Sequence, residues 1–246
     1  MTRFFIDPNQ IRGADVDLAS DDAHHLRTVL KSKPGDVIAV LDGRGVEYTV
    51  SLTEVGKSHA RGRITKSIPL DTECRTRITV AQALPKMADK MEQVLQRGTE
   101  AGAAAYWAYE SARSLDHLTG ERQAKRIVRW SQIIKTAAEQ SHRALLPSLR
   151  IDGAFADVAQ AAGNFDLALF AYEGEARATL KSALESRTQA PMNVLIVIGP
   201  EGGFTDQEVA TARKNGLVSV SLGKRILRTE TAALVMLSQI VYALEG

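Results

Sequence analysis

One segment near the carboxyl end restricts the fold of this chain more than any other. The run Met192–Ile198 is almost entirely apolar, which is typical of a strand that is covered on both faces. Three glycines follow in Gly199–Gly203, and Thr205 with Glu208 then has the spacing of a capping box that begins a helix. A buried strand that enters a helix through a glycine-rich turn predicts a parallel α/β sheet.

Strand and helix patterns alternate from Arg77 onward, which supports the same class of fold. The predicted strands are 77–84, 104–110, 165–171, 192–198 and 217–222. The predicted helices are about 86–101, 120–144, 177–185, 205–215 and 229–244. The sequence therefore predicts an α/β layer with a mostly parallel sheet.

The first seventy residues have a different pattern. Val37–Leu41 and Val46–Leu52 flank a turn that contains two glycines, which predicts a hairpin, and a short helix fits Ala23–Leu30. This region is predicted to be a small β-rich domain. We therefore expect two domains, residues 1–70 and residues 71–246.

Charge is distributed unevenly along the 246 residues, although the net charge is only +2. Residues 71–150 contain 13 Lys and Arg against 9 Asp and Glu, whereas residues 151–246 contain 8 against 11. The middle of the chain is thus the better candidate for contacts with phosphate groups. An ordinary solvated helix face explains this modest surplus equally well.

Several classes of protein are disfavoured by motifs that the sequence lacks. The single cysteine, Cys74, cannot form an intrachain disulfide, and the five histidines have no zinc-like spacing, so we expect no metal site. No dinucleotide fingerprint, Walker A loop or Gly-x-Ser-x-Gly elbow occurs. No signal peptide or membrane-spanning run is found either, and a cytoplasmic protein is expected.

Ligands of open α/β sheets bind beyond the carboxyl ends of the strands. Three segments follow predicted strands in this way: Ala171–Gly174, Gly199–Gly203 and Leu222–Arg228. Their glycines allow close approach of the backbone to a ligand. Taken singly, the second segment could be a tight turn and the third a junction between a loop and a helix. Together they predict a pocket for a small molecule.

The residues around these segments resemble a known family. Ile198–Phe204 followed by Glu208, and then Leu222–Ala232, closely resemble the RsmE family of the SPOUT superfamily, bacterial enzymes that methylate N3 of a uridine in small-subunit ribosomal RNA. The resemblance spans nearly the whole chain, although Ser111–Ser114 departs from the family pattern. Further matches are His24–Leu30 with Gly35 and Asp36, Lys86 with Lys90–Glu92, Glu100 with Gly102, and Glu139–Ser141 with Arg143 and Pro147.

The resemblance implies a fold and a cofactor. It implies a SPOUT-type C-terminal domain with a parallel sheet and a deep trefoil knot, a small N-terminal PUA-like β-barrel that binds RNA, and a homodimer. The cofactor would be S-adenosylmethionine. The residues expected to bind it are Ile198, Gly199, Pro200, Glu201, Gly202, Leu222, Gly223, Ile226, Leu227, Arg228 and Ala232.

The expected substrate is 16S rRNA in the small ribosomal subunit. N3 of uracil carries a proton, so a site must remove this proton or stabilise the anionic ring. Arg228 and Glu201 are the expected catalytic residues; the alternatives are a salt bridge from Arg228 to Glu230 and a structural role for Glu201. The residues expected to contact RNA are Arg12, Arg27, Lys31, Lys86, Lys90 and Arg143.

Two other functions remain open at this point. A different SPOUT enzyme would methylate a ribose hydroxyl or a transfer RNA. A ribosome-assembly factor without catalytic activity would keep the fold as an RNA-binding module. The intact glycines of the two C-terminal motifs argue against the second alternative.

Overall fold

The structure is a computed structural model that describes residues 1–114, 120–174, 178–187 and 189–245, without the side chain of Asp152. The chain divides into two compact units. The first unit comprises Met1–Glu73 with Ala138–Leu146, and the second comprises Cys74–Ala137 with Pro147–Gly246. The domain ranges inferred from the sequence, 1–70 and 71–246, stay predictions.

The first unit is built on a six-stranded sheet in the order β1-β4-β5-β6-β3-β2. All neighbouring strands are antiparallel except β1 and β4, which are parallel. The strands are β1 (Arg3–Phe5), β2 (Ile11–Arg12), β3 (Asp15–Leu18), β4 (Val37–Leu41), β5 (Val46–Val55) and β6 (Ala60–Pro69). The predicted hairpin is β4–β5.

The hairpin turn is fixed by one side chain. Asp42 accepts hydrogen bonds from the backbone amides of Arg44 at 2.8 Å and Val46 at 3.2 Å. Gly43 and Gly45 have φ angles of 67° and 102°, which glycine adopts at low cost. Strands β1 to β3 were not predicted, because segments of two to four residues are too short to display an alternating pattern.

The predicted helix at 23–30 begins three residues earlier and is less regular than expected. An α-helix, α1 (Ser20–His24), continues as one π-helical turn over His25–Val29. Leu26 points into the core of this unit, whereas Arg27 and Val29 are exposed. Lys31 then leaves the helix with a φ angle of 54°.

The second unit contains a sheet of six parallel strands in the order β12-β10-β11-β7-β8-β9. Its strands are β7 (Arg77–Ala83), β8 (Ala105–Glu110), β9 (Ser148–Ala154), β10 (Leu167–Ala171), β11 (Asn193–Ile198) and β12 (Val218–Val220). Its helices are α2 (Ala88–Glu100), α3 (Gly120–Gln140, whose last residues belong to the first unit), α4 (Phe155–Gln160), α5 (Leu180–Glu185), α6 (Asp206–Lys214) and α7 (Thr229–Glu245).

The sequence interpretation missed strand β9 and helix α4. β9 is an edge strand that pairs only with β8, and it carries few large apolar residues, so its pattern is weak. α4 has only six residues, too few for a helical period to stand out. The parallel sheet therefore has one more strand than was predicted.

Helices cover both faces of the sheet and bury its central strands. On β11, Val194 and Ile196 pack into a core with Trp130 of α3 and Met236 of α7. Leu195, on the same strand, packs on the opposite face with residues of α4 and α6. The predicted burial of this strand on both faces is confirmed. None of the helices in the described part of the chain has the length and apolarity that a membrane crossing requires.

Candidate cofactor site

A cavity of about 420 Å³ lies at the carboxyl ends of β10, β11 and β12 in the second unit. This volume falls within the range of roughly 300–1,000 Å³ that is common for small-molecule and cofactor sites. Two loops form most of its wall, the first glycine loop (Gly199–Phe204) and the second glycine loop (Ser221–Arg228). The remaining lining residues are Lys90, Ala171, Tyr172, Glu173, Ile198, Val220, Thr229 and Ala232.

The first glycine loop is held against its surroundings by tight contacts. A Cβ on Gly199 would lie 3.2 Å from the ring of Phe204, and Gly203 has a φ angle of 65°. The carbonyl of Gly199 accepts a hydrogen bond of 2.6 Å from the hydroxyl of Thr229, the first residue of α7. Glycine is thus favoured at both positions, and the hydrogen bond from Thr229 links the loop to the start of α7.

A buried glutamine extends this connection to β7. The Nε2 atom of Gln82 donates to the Thr229 hydroxyl at 2.8 Å and to the carbonyl of Ala83 at 3.0 Å. Gln82 is completely buried, so these bonds are made away from water. The sequence interpretation missed this residue, although a glutamine within an apolar strand was a signal of a buried polar contact.

The second glycine loop offers an apolar surface to the cavity. Gly223 has a φ angle of 122°, a conformation that other residues rarely adopt. Leu222 and Leu227 are half-buried and pack against the core, but the side chain of Ile226 is 84% exposed while it lines the cavity. An exposed apolar side chain at a cavity wall favours a ligand with an apolar or aromatic part.

Three charged side chains of the cavity wall, those of Lys90, Glu201 and Arg228, lie near one another. The carboxylate of Glu201 accepts hydrogen bonds from Lys90 Nζ at 2.8 Å and from the backbone amide of Lys86 at 3.2 Å. Burial alone would raise the pKa of Glu201, but these bonds outweigh it and the pKa is lowered. The hydrogen bond from Lys90 raises the pKa of that lysine. Both groups are therefore charged at neutral pH.

Arg228 lines the cavity and is exposed. Among the described residues, no carboxylate lies within 4.0 Å of its guanidinium group, so the salt bridge to Glu230 that the sequence left open is not formed. Glu230 is buried at the start of α7, and its charge acts on Lys90. The guanidinium of Arg228 is thus available to a ligand.

A second carboxylate fixes the start of helix α6. Glu208 accepts hydrogen bonds from the hydroxyl of Ser111 at 2.8 Å and from the amide of Ala112 at 2.9 Å. It also accepts from the amide of Thr205 at 2.8 Å. Burial raises the pKa of Glu208, but the hydrogen bonds outweigh this and lower it. The segment after β8 and the first glycine loop are thus joined by one buried carboxylate.

The structure brings together most of the residues that the sequence proposed for the cofactor. Ten of the eleven line the cavity, and the exception is Gly202, whose carbonyl accepts a hydrogen bond of 2.6 Å from Arg113. Lys90, which is also expected to contact RNA, lies in the cavity wall. Tyr172 and Glu173 also line it, although only their position after a strand had drawn attention to them.

Arg143 does not suit the role that the sequence gave it. Its side chain is only 7% exposed and forms an ion pair with Glu73. Burial would raise the pKa of Glu73, but the hydrogen bond and charge of Arg143 lower it overall. A sequence motif cannot reveal that an arginine is buried. Arg12, Arg27, Lys31 and Lys86 are exposed, as contacts with phosphate groups require.

Within the described ranges, no three His, Cys, Asp or Glu side chains come together in a way that would hold a metal ion.

Comparison with known families identifies two domains in this chain. Residues 72–241 match the family model of the RNA methyltransferase domain, and residues 18–65 match that of the RNA methyltransferase PUA domain.

Full-length relatives lead to one family. The chain is 35% identical to ribosomal RNA small subunit methyltransferase E of Bacillus subtilis, over 100% of this chain and 98% of the relative. It is 34% identical to the enzyme of the same name from Synechocystis, over 99% of this chain and 78% of the relative. This chain belongs to the family of ribosomal RNA small subunit methyltransferase E.

Solved structures support the fold. A methyltransferase from Legionella pneumophila with bound S-adenosylmethionine superposes with a TM-score of 0.90 at 30% identity, covering 98% of this chain and 97% of the other. The methyltransferase E of Neisseria gonorrhoeae, bound to the same cofactor, gives 0.85 at 31% identity, covering 99% and 98%. The predicted α/β class with a parallel sheet and an N-terminal PUA-like domain is confirmed. The trefoil knot stays a prediction.

The buried carboxylate of Glu208 gives a testable consequence for stability. In Glu208→Gln, an amide group faces donors that need an acceptor, so the free energy of unfolding at pH 7 should fall by about 1–3 kcal/mol. A lowered pKa contributes stability above the ordinary glutamate value of about 4.3, and this contribution is lost as the pH falls through the folded-state pKa. The deficit of the variant, measured by urea unfolding, should therefore shrink at acid pH.

Glu185→Gln is the matched control, because its side chain is 64% exposed and lies 3.6 Å from Lys181 on the same short helix. It should change the free energy of unfolding by less than about 0.5 kcal/mol. A Glu208→Gln deficit that is absent at pH 7, or that grows as the pH falls, would contradict this interpretation.

Proposed function

We propose that this protein is an S-adenosylmethionine-dependent methyltransferase that methylates N3 of a uridine in the 16S rRNA of the small ribosomal subunit. The observation that carries the proposal is the cavity between two glycine loops, in a chain whose family includes a member solved with this cofactor. The family's own name supplies the substrate, the small-subunit ribosomal RNA.

The residues of the cavity fit S-adenosylmethionine. The apolar side chains of Leu222, Ile226 and Leu227 suit a flat adenine ring, and Gly199 and Gly223 add no side chain to the same cavity lining. The charged side chains of the cavity wall suit the amino-acid part of the cofactor. The proposed binding residues are Ile198, Gly199, Pro200, Glu201, Leu222, Gly223, Ile226, Leu227, Arg228 and Ala232, with Gly202 supporting the loop through its bond to Arg113.

When bound, S-adenosylmethionine supplies a methyl group on a positively charged sulfur, which is already a reactive donor. The protein must then orient the uracil and favour the loss of its N3 proton. Negative charge develops on the uracil oxygens as this proton leaves. Arg228 lines the cavity and has no carboxylate partner in the described part of the chain, so its guanidinium can stabilise that charge.

Glu201 is better suited to positioning than to proton transfer. A general base works best when its pKa lies near the working pH, and the pKa of Glu201 is lowered from its ordinary value. Both of its oxygens also accept hydrogen bonds. We infer that Glu201 holds Lys90 and the first glycine loop in place.

RNA contacts in the first unit are assigned to exposed cations of its PUA-like domain. Arg27 and Lys31 lie on and just after the π-helical turn, and Arg12 lies on β2. A homodimer is part of the proposal, supported by one large side chain near the C-terminus, Tyr242, that is 84% exposed. We expect the enzyme to act in the cytoplasm, where its substrate is found.

Methyl transfer from labelled S-adenosylmethionine to small subunits that lack the modification tests the proposed reaction. Nucleoside mass spectrometry should detect 3-methyluridine. Arg228→Gln should lower kcat by about 100-fold, because a charge that stabilises the transition state is removed. Arg228→Lys keeps the positive charge, and its kcat should lie between those of wild type and Arg228→Gln. A different methylated nucleoside, or a loss confined to KM for the cofactor, would contradict the assignment.

Ile226 allows the cofactor pocket to be tested without disturbing the core. Ile226→Asp should weaken S-adenosylmethionine binding about tenfold in calorimetry, since it removes an apolar contact and adds a charge. The Tm should not change, because the side chain is 84% exposed. Val128→Asp, at a residue that is 72% exposed on α3, is the control and should bind normally. Equal affinity of both variants and wild type would exclude Ile226 from the site.

The proposed RNA contacts predict a change in salt dependence. The double variant Arg27→Ala/Lys31→Ala should weaken RNA binding and reduce the slope of log Kd against log salt concentration by about 1 to 2. Its affinity for S-adenosylmethionine should be that of wild type. Arg61→Ala is the control, because Arg61 is paired with Asp17 at 2.9 Å. An unchanged slope in the double variant would contradict the assignment.

A further inference from the structure

The charged side chains that line the cavity include more cations than carboxylates. It has four cationic and two carboxylate side chains: Lys90, Lys224, Arg225, Arg228, Glu173 and Glu201. Glu201 is occupied by Lys90 and by the backbone amide of Lys86. Among the described residues, Glu173 is the one lining carboxylate that forms no ion pair or hydrogen bond.

Glu173 is presented by a tight turn at the end of β10. Tyr172 packs against Phe170, with ring centroids 6.0 Å apart. Gly174 allows this packing, since a Cβ there would lie 2.7 Å from the tyrosine ring. The turn therefore directs Glu173 away from its own strand and towards the cavity that it lines.

The carboxylate of Glu173 reaches the first glycine loop. Its Oε1 atom lies 3.4 Å from the position that a Cβ on Gly203 would occupy. Gly203 has a φ angle of 65° and contributes no side chain, so nothing separates the carboxylate from the loop backbone. Glu173 thus stands between β10 and the glycine loop that follows β11, beside the space proposed for the cofactor.

We propose that the Glu173 carboxylate binds the α-ammonium group of the methionine part of S-adenosylmethionine. This inference rests on the proposed function. The cofactor carries two positive groups, but only the ammonium has N–H donors, and the carboxylate has acceptor oxygens without partners. The sulfonium has no proton to donate, so it cannot form such a hydrogen bond.

Three ligands separate the possible roles of Glu173. S-adenosylhomocysteine keeps the ammonium and lacks the sulfonium charge, whereas 5′-methylthioadenosine lacks the whole amino-acid end. A contact with the ammonium must therefore affect the binding of S-adenosylmethionine and S-adenosylhomocysteine in the same way, and it must not affect the binding of 5′-methylthioadenosine. A contact with the sulfonium would affect S-adenosylmethionine alone. A role as a base for uracil would affect none of the three.

Isothermal titration calorimetry of wild type and Glu173→Gln with the three ligands tests the inference. Kd should rise about tenfold for S-adenosylmethionine and S-adenosylhomocysteine, the effect of one charged hydrogen bond near solvent, and should not change for 5′-methylthioadenosine. Glu185→Gln carries the same change in charge on α5, outside the cavity lining, and should bind all three ligands like wild type.

Weaker binding of S-adenosylmethionine alone, of all three ligands, or of none would overturn the inference. Failure of the proposed function is a separate result. If wild type binds no S-adenosylmethionine, the cofactor assignment itself fails. If wild type binds the cofactor and methylates its substrate while Glu173→Gln binds normally, only the role of Glu173 is lost.

Discussion

The hydrogen bond from the Thr229 hydroxyl to the Gly199 carbonyl connects the parts of the molecule on which the cavity depends. It joins the start of α7 to the loop after β11, and Gln82 extends the connection to β7. A buried hydrogen bond of this kind is costly to break, because its donor and its acceptor would then have no other hydrogen-bond partner, water included. The start of α7, which directly follows the second glycine loop, is thereby held against the first glycine loop.

Electrostatics divides the cavity wall into parts with different tasks. Lys90 and Glu201 satisfy each other and hold the first glycine loop, so neither is free to exchange protons at neutral pH. Arg228 and Glu173 have no such partners among the described residues, and they line the cavity with opposite charges. Charged groups that are paired with each other can hold the shape of the pocket. Charged groups without a partner can bind a ligand that carries both positive and negative charges.

The sequence predicted the parallel sheet and most of the cavity wall, because an apolar strand followed by glycines is a local pattern. It could not predict β9 and α4, whose segments are too short or too weakly patterned. It also could not show that Arg143 and Lys90, both expected to contact RNA, form ion pairs, because a basic residue looks alike in sequence whether it is paired or free. The partners Glu73 and Glu201 are distant along the chain, so only the fold reveals those ion pairs.

Hydrogen–deuterium exchange with and without S-adenosylmethionine measures most directly whether the two glycine loops hold the cofactor. Backbone amides that face a bound ligand lose access to solvent and exchange more slowly. Saturating cofactor should slow exchange in peptides that cover residues 199–204 and 221–228, with little change in residues 1–70. Unchanged exchange in both loops at saturation, or protection confined to another part of the chain, would contradict this assignment of the site.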